Sequence, residues 1–147
     1  LSIEEQQIKK WEKWIWEDIN VAKFGPLDKD ARYYESRVLD SQGNSDEAIV
    51  ILRSLVSSYP SDVSLSLDLG LLYLRERDIV AAEKVFRALV ERVPGVADAH
   101  WNLAVIYEDR GQIDRAVEQL EILSLLVPED IRVQERLQQI TLDNLEE

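Results

Sequence analysis

The stretch VERVPGVADAHWNLAVIYEDRGQIDRA, residues 90–116, contains a proline that stands in a regular relation to every other proline of the chain. Pro94 is one of four prolines, and the others are Pro26, Pro60 and Pro128. Each interval, such as that from position 60 to position 94, is 34 residues. A fixed period of this length indicates a chain built from repeated supersecondary units.

A shift of the sequence by 34 residues also aligns other columns that keep their size and polarity. One column holds small residues and the others hold large apolar residues or alanine. In chain order the columns are Ser36, Gly70 and Ala104; Leu39, Tyr73 and Tyr107; Ala48, Ala82 and Ala116; Leu52, Phe86 and Leu120; Leu55, Leu89 and Leu123. Agreement in so many columns predicts a true structural repeat rather than a chance spacing of prolines.

The apolar spacing within each unit is helical. Leu103, Ala104 and Tyr107 share one helix face, and a second apolar face follows after a break at Gly111. Glycine suits the left-handed residue that ends a helix, and proline stops a helix because it lacks an N–H and clashes with the preceding turn. Each unit is therefore predicted to be two antiparallel helices, with the small residue allowing their close approach.

These columns resemble the tetratricopeptide repeat family. The resemblance predicts an all-α, right-handed α-solenoid of antiparallel helix pairs, with three repeats at residues 29–62, 63–96 and 97–130. The first repeat is degenerate, because Glu35 stands where the later repeats have Leu69 and Leu103. A tryptophan-rich helix at residues 1–25 and a capping helix at residues 131–147 complete a predicted single domain over residues 1–147. The polar back of the last helix is expected to cover the end of the solenoid.

Composition excludes several classes of function. The chain has 17 lysines and arginines against 29 acidic residues, a net charge of −12, which opposes binding to nucleic acids and to anionic membrane surfaces. It has no cysteine, and its one histidine, His100, falls in a packing column. No catalytic motif, metal-ligand spacing or phosphate-binding loop is present, so we expect no enzymatic activity, no metal and no cofactor.

The chain contains no methionine and begins at Leu1. Initiator methionine is normally removed only before a small residue. We therefore expect the sequence to be a piece of a longer or processed polypeptide, and an intracellular compartment is slightly favoured.

The amino-terminal segment reads as one amphipathic helix that stops at Gly25 and Pro26. Ile8, Trp11 and Ile15 belong to its apolar stripe, which is predicted to pack as the second half of a truncated repeat. Trp16 lies on the polar side, about 140° around the helix from Trp11. Trp16 is therefore a candidate for self-association, and a homodimer is one alternative.

The resemblance also implies a binding surface. In this family the first helices of successive repeats line a concave groove, and carried onto this sequence the groove consists of aromatic, apolar and acidic residues. They are Tyr33, Tyr34, Leu67, Leu71, Leu74, Asp98, Trp101, Asn102, Val105, Glu108 and Asp109. Its apolar strip suits an amphipathic helix or an extended apolar peptide of a partner protein, with basic flanks facing the carboxylates.

Three functions follow from this surface. The first is a non-catalytic scaffold or adaptor that binds a partner's segment in the groove. The second is a chaperone co-factor that clamps a carboxyl terminus, because Asn102, Arg132 and Arg136 match three of the five clamp positions of one subclass. Leu67 and Leu71 occupy the other two, which would leave the carboxylate against hydrocarbon. The third is a self-associating structural unit, and the parent chain or the amino-terminal helix is an alternative occupant of the groove.

Overall fold

The computed structural model of the chain describes residues 2–14 and 28–145. These two ranges contain eight α-helices and no β-strand, which confirms the all-α prediction. The helices are α1 Ile3–Trp14, α2 Lys29–Ser41, α3 Ser45–Ser58, α4 Val63–Arg75, α5 Ile79–Arg92, α6 Ala97–Asp109, α7 Ile113–Leu126 and α8 Ile131–Leu145. The chain divides into two compact units, residues 1–55 and residues 56–147.

In the first unit, the sequence sets where α2 begins. The Asp28 carboxylate accepts a hydrogen bond of 2.9 Å from the Ala31 backbone N–H, which caps a donor that has no partner within the helix. Ser36, in the small-residue column, is buried, and its hydroxyl donates to the Tyr33 carbonyl oxygen at 2.6 Å. The other buried residues of this unit are Ala48, Ile51, Leu52 and Leu55.

The amino-terminal helix is described only as far as Trp14. Ile8, which was predicted to lie on a packed stripe, is exposed over 57% of its surface, and Ile3 over 78%. The rest of the predicted helix, including Trp16, lies outside the described residues. Its predicted role in self-association therefore stays a prediction.

In the second unit, each helix from α4 to α8 packs against the next one along the chain. Phe86, Leu89, Leu103 and Tyr107 belong to one buried cluster. A second cluster is formed by Ala104, Leu120, Leu123, Val133 and Ile140. The columns found by the 34-residue shift are thus the columns that fill the interior of this unit.

The turn inside each repeat follows one geometry. Gly43, Arg77 and Gly111, which are 34 residues apart, have positive φ values of 83°, 66° and 68°. The amide of the next residue donates to a carbonyl five positions back in every case: Asn44 to Leu39, Asp78 to Tyr73 and Gln112 to Tyr107, at 2.8–2.9 Å. This arrangement is the helix-ending motif expected of glycine at this position, and in the middle repeat an arginine adopts it.

Two further predictions about the repeat are confirmed. The helices α3, α5 and α7 end two residues before Pro60, Pro94 and Pro128. Gly70 allows a close approach, since a Cβ atom placed there would lie 2.5 Å from the Phe86 ring.

The last helix, α8, buries Val133 and Ile140 against the second cluster, with Leu137 partly buried beside them. Its outward surface is less polar than predicted. Ile131, Leu142 and Leu145 are exposed there, although Gln138 occupies the position of the small-residue column.

Candidate functional site

The helix α6 has one face in the core and another on the surface. Leu103 and Tyr107 are buried, whereas Val105, which lies between them in sequence, remains 47% exposed. Trp101 is partly buried and packs against the second cluster. The helical period therefore places Trp101 and Val105, four residues apart, on one accessible side of α6.

A cleft of about 250 Å³ opens beside these two residues. Its remaining lining consists of Ala104 and Leu120, which are buried, and of Glu108, Asp109 and Arg136. The arrangement is an apolar recess with charged groups at its border. A recess of this kind accepts an apolar side chain and leaves polar groups of the ligand in water.

An ion pair between α6 and α8 forms one wall of the cleft. Arg136 donates from Nε to Glu108 Oε1 at 3.0 Å, and its Nη2 donates to the second carboxylate oxygen. The Glu108 side chain is only 15% exposed. This bidentate hydrogen bonding raises the pKa of Arg136 above its ordinary value. The sequence predicted Glu108 to be an acceptor for a partner's basic residue, but in the structure it is already paired.

Arg132, the second predicted cation, is also engaged. Its Nε and Nη2 donate to the two oxygens of Asp130 at 2.9 Å and 2.7 Å. These bonds lower the pKa of Asp130 below its ordinary value. The Arg132 guanidinium also lies 5.9 Å from the centre of the Trp101 ring, a cation–π distance. Arg132 therefore contacts both a carboxylate and the aromatic residue of the cleft.

The uncompensated charge of this surface is negative. α6 contains Asp98, Glu108 and Asp109 and no lysine or arginine. Asp98 and Asp109 are exposed and form no ion pair within the described part of the chain, whereas Glu108 is bound by Arg136. Asn102 donates from its side-chain amide to the Asp98 backbone carbonyl at 2.7 Å.

The predicted groove residues of α4 lie apart from this cleft. Leu71 is 47% exposed, while Leu67 and Leu74 are partly buried against the cluster that contains Phe86. Trp101 packs against the other cluster. A continuous apolar strip from α4 to α6 therefore remains a prediction.

The predicted aromatic residues Tyr33 and Tyr34 belong to the first compact unit. Tyr34 is exposed, and Tyr33 is partly buried. The Tyr33 hydroxyl accepts a hydrogen bond from Arg37 Nη1 at 3.2 Å. Their membership of a shared groove also stays a prediction.

His100 has a structural environment. It is buried, with Nδ1 2.8 Å from Gln119 Oε1 and Nε2 2.8 Å from the Pro94 carbonyl oxygen. The histidine thus links α6 to α7 and to the turn before α6. Among the described residues, no group of three or more acidic or histidine side chains could hold a metal ion. None of the helices in these ranges is long and apolar enough to cross a bilayer.

Sequence reasoning missed the pairing of Glu108 with Arg136. It also missed the contact of Arg110 with Glu83, which joins the end of α6 to α5. The partners in the two pairs are 28 and 27 residues apart. No local spacing rule signals such pairs, because they form between helices and depend on how the helices pack.

Two family models describe the chain. Both are tetratricopeptide repeat models, and they match residues 30–62 and 67–123, which together make up more than half of the chain. The chain belongs to the tetratricopeptide repeat family. Among curated proteins, it is similar to Superkiller complex protein 3 of Homo sapiens, with 32% identity over 75 residues. This match takes in 51% of the chain but only 5% of that much longer protein.

Solved structures share the fold at low sequence identity. A crystal structure of MamA matches with a TM-score of 0.73 at 18% identity, covering 98% of this chain and 85% of MamA. YrrB, described as a protein of this family with an unusual peptide-binding site, matches with a TM-score of 0.62 at 24% identity, covering 74% of this chain and 56% of YrrB. The first repeat domain of Spaghetti (RPAP3), bound to the HSP90 peptide SRMEEVD, has a TM-score of 0.67 at 17% identity, covering 80% of this chain and 93% of that one. These matches show the helical-repeat fold.

Proposed function

We propose that this protein is a non-catalytic scaffold or adaptor whose groove binds an apolar or amphipathic segment of another protein. The observation that carries the proposal is the apolar cleft beside Trp101 and Val105, with the unpaired Asp109 at its border. Two neighbours of the same fold are described by the peptides or peptide-binding site they carry, which supports a binding role for this surface.

The energetics favour an apolar ligand. Full burial of a leucine-sized side chain stabilises a complex by about 1.5–3 kcal/mol. Trp101 offers a large, rigid surface for such a contact, and tryptophan is enriched among residues that dominate binding energy. A lysine or arginine next to the buried side chain would face Asp98 or Asp109, which have no basic partner within the described residues.

The carboxylate clamp is less well supported, because both candidate cations are already bound. An incoming carboxylate would have to displace Asp130 from Arg132 and Glu108 from Arg136. The displaced Glu108, which is mostly buried, would then lose its charge partner, and this is costly. The partly buried Leu67 and the exposed Leu71 offer no hydrogen-bond donors in compensation.

A displayed library of random peptides tests the proposal without knowledge of the natural partner. We expect peptides selected on the unmodified protein to combine apolar residues with lysine or arginine. Val105→Lys or Trp101→Ala should weaken their binding, and the combined change of Leu67 and Leu71 to lysine should weaken it by about a hundredfold if α4 contributes to the same groove. Val80→Lys is a matched control, since Val80 is equally accessible but lies on α5.

The same library separates the two modes of binding. The clamp predicts peptides that require a free carboxyl terminus and lose binding when Arg132 and Arg136 are changed to glutamate. If binding depends on the arginines but ignores the changes at Trp101, Val105 and the two leucines, the apolar-groove proposal is wrong. If no peptide distinguishes the groove variants from the control, a peptide-binding function for this surface is wrong.

A further inference from the structure

The amino-terminal helix α1 has the chemistry that the groove would bind. Within α1, Ile3 and Ile8 are exposed over 78% and 57% of their surfaces. These are two large apolar side chains on a helix of 12 residues, whereas α6 buries most of its apolar residues. Exposed apolar side chains on one helix are a feature of segments that dock into a groove of another protein.

The charges of α1 are segregated along its length. Glu4 and Glu5 lie in the first turn, where acidic residues favour the helix amino terminus. The second half, IKKWEKW at residues 8–14, has three lysines and one glutamate, so its net charge is 3 − 1 = +2. Lys9 and Lys10 are exposed. This half of α1 is a basic, apolar segment within an acidic chain.

The surface beside the cleft has the opposite charge. α6 carries three acidic residues and no basic ones, and only Glu108 among the three is neutralised, by Arg136. Lys9 and Lys10 are complementary in charge to Asp98 and Asp109, and Ile8 matches the apolar recess formed in part by Val105. The lengths also agree, because α1 with 12 residues is about 18 Å long and α6 with 13 residues about 20 Å.

We propose that α1 of one copy of this chain docks on the cleft-bearing surface of α6 in a second copy. The inference rests on the proposed function, since it names one occupant of the same groove. The two contacting surfaces are different, so each complex leaves one groove and one α1 unused. Contacts of this head-to-tail kind add further copies unless the geometry closes a ring.

The contact is small, because one short helix covers only the lower end of the area range of specific interfaces. The net charge of −12 on each copy also opposes approach at low salt. Self-association is therefore expected to be weak and to depend on protein concentration. Sedimentation velocity over a wide concentration range at physiological ionic strength is the appropriate measurement.

Two variants, each with one surface altered, make the test specific. The first changes α1 by Ile8→Glu with Lys9→Glu and Lys10→Glu. The second changes the groove by Val105→Lys with Asp109→Lys. All five side chains are exposed, so circular dichroism should show both variants folded, and Val80→Lys controls for an added surface charge.

Each variant alone should sediment as a monomer at concentrations where the unmodified chain and the Val80→Lys control associate. An equimolar mixture of the two should form a one-to-one dimer that does not grow, because only one intact α1 and one intact groove can meet. A mixture that stays monomeric overturns the proposal, and so does an unmodified chain that is monomeric at every concentration. The second result is also the one expected if α1 occupies the groove of its own copy.

The peptide library keeps this outcome distinct from the fate of the proposed function. If the mixture is monomeric but selected peptides still require Val105 and Trp101, the groove binds a different partner and only the self-association is wrong. If selected peptides bind the α1 variant more tightly than the unmodified chain, α1 competes for the groove, as the proposal expects. Peptides that ignore the groove changes contradict the proposed function itself.

Discussion

On one side of α6, Leu103 and Tyr107 are buried in a cluster with Phe86, whereas Val105, between them in sequence, faces a solvent-filled cleft. The buried side repeats residue types found 34 positions earlier, Leu69 and Tyr73. The open side does not, since Trp101 stands where the previous repeat has Leu67. Packing thus restricts the inner face to a few residue types, while the outer face is free to differ between repeats.

The largest expected effect comes from exchanging one residue on each side of α6. Leu103→Ala should lower the free energy of unfolding by about 2–5 kcal/mol, because it removes buried methyl groups and leaves a cavity. Val105→Ala should change it by less than about 0.5 kcal/mol, since Val105 is half exposed. Urea denaturation followed by circular dichroism measures both. Equal losses for the two variants would contradict the division of α6 into a core face and a surface face.

A second comparison sets the middle repeat against the last one inside the core. Gly70 faces Phe86, whereas Ala104 and Leu120 hold the same columns one repeat later. Gly70→Ala should destabilise the protein by about 1–3 kcal/mol, because its Cβ would overlap the Phe86 ring. The same change should cost less in a Phe86→Leu background, which reproduces the pair of the last repeat.

Gly95→Ala is the control for the glycine exchange, since a Cβ at Gly95 meets no atom within 4 Å. A double-mutant cycle on unfolding free energies gives the coupling between positions 70 and 86. An additive result would mean that the close contact between Gly70 and Phe86 is not what restricts this column.

The turns of the same two repeats differ by one residue. Arg77 has a φ of 66° and Gly111 a φ of 68°, a region that costs an ordinary side chain about 1–2 kcal/mol. Arg77→Gly should therefore stabilise the protein by about 1 kcal/mol, and Gly111→Ala should destabilise it by a similar amount. Thermal unfolding measures both shifts. If Arg77→Gly is destabilising, the arginine side chain contributes more than its backbone strain costs.

The smallest effect concerns the ion pair beside Trp101. Hydrogen bonds from Arg132 lower the pKa of Asp130 in the folded protein. Charged Asp130 therefore contributes to stability above its unfolded pKa, about 3.9, and this contribution is lost as the pH falls through the lower folded value. Because the pair is exposed to water, its effect on unfolding should be close to the detection limit.

Carboxyl NMR titration should detect the pair directly. Arg132→Gln should raise the midpoint of Asp130 towards the ordinary value, while Arg53→Gln, an exposed change in the other compact unit, should leave it unchanged. An unaltered midpoint in Arg132→Gln would show that Arg132 does not hold Asp130 in solution. The arginine would then be available to a carboxylate ligand, which would favour the clamp over the apolar groove.

The sequence by itself determined the interior and the ends of the helices. The 34-residue columns identified the residues that are buried, including Phe86 and Leu103, because burial restricts volume and polarity at every repeat. The prolines and Gly111 indicated where helices end, because both act through the local backbone. The outward apolar residues of α8, such as Leu142, were overlooked, since a polar back was expected of a terminal helix.

Only the tertiary structure decided which charges around the cleft are paired. Glu108 and Arg136 are 28 residues apart and meet because α6 and α8 both line the cleft. The position of Glu108 in the sequence resembles that of Asp109, yet one carboxylate is bound within the chain and the other faces water. Side-chain pairing across helices depends on distances of a few ångströms in three dimensions, and a one-dimensional spacing does not specify them.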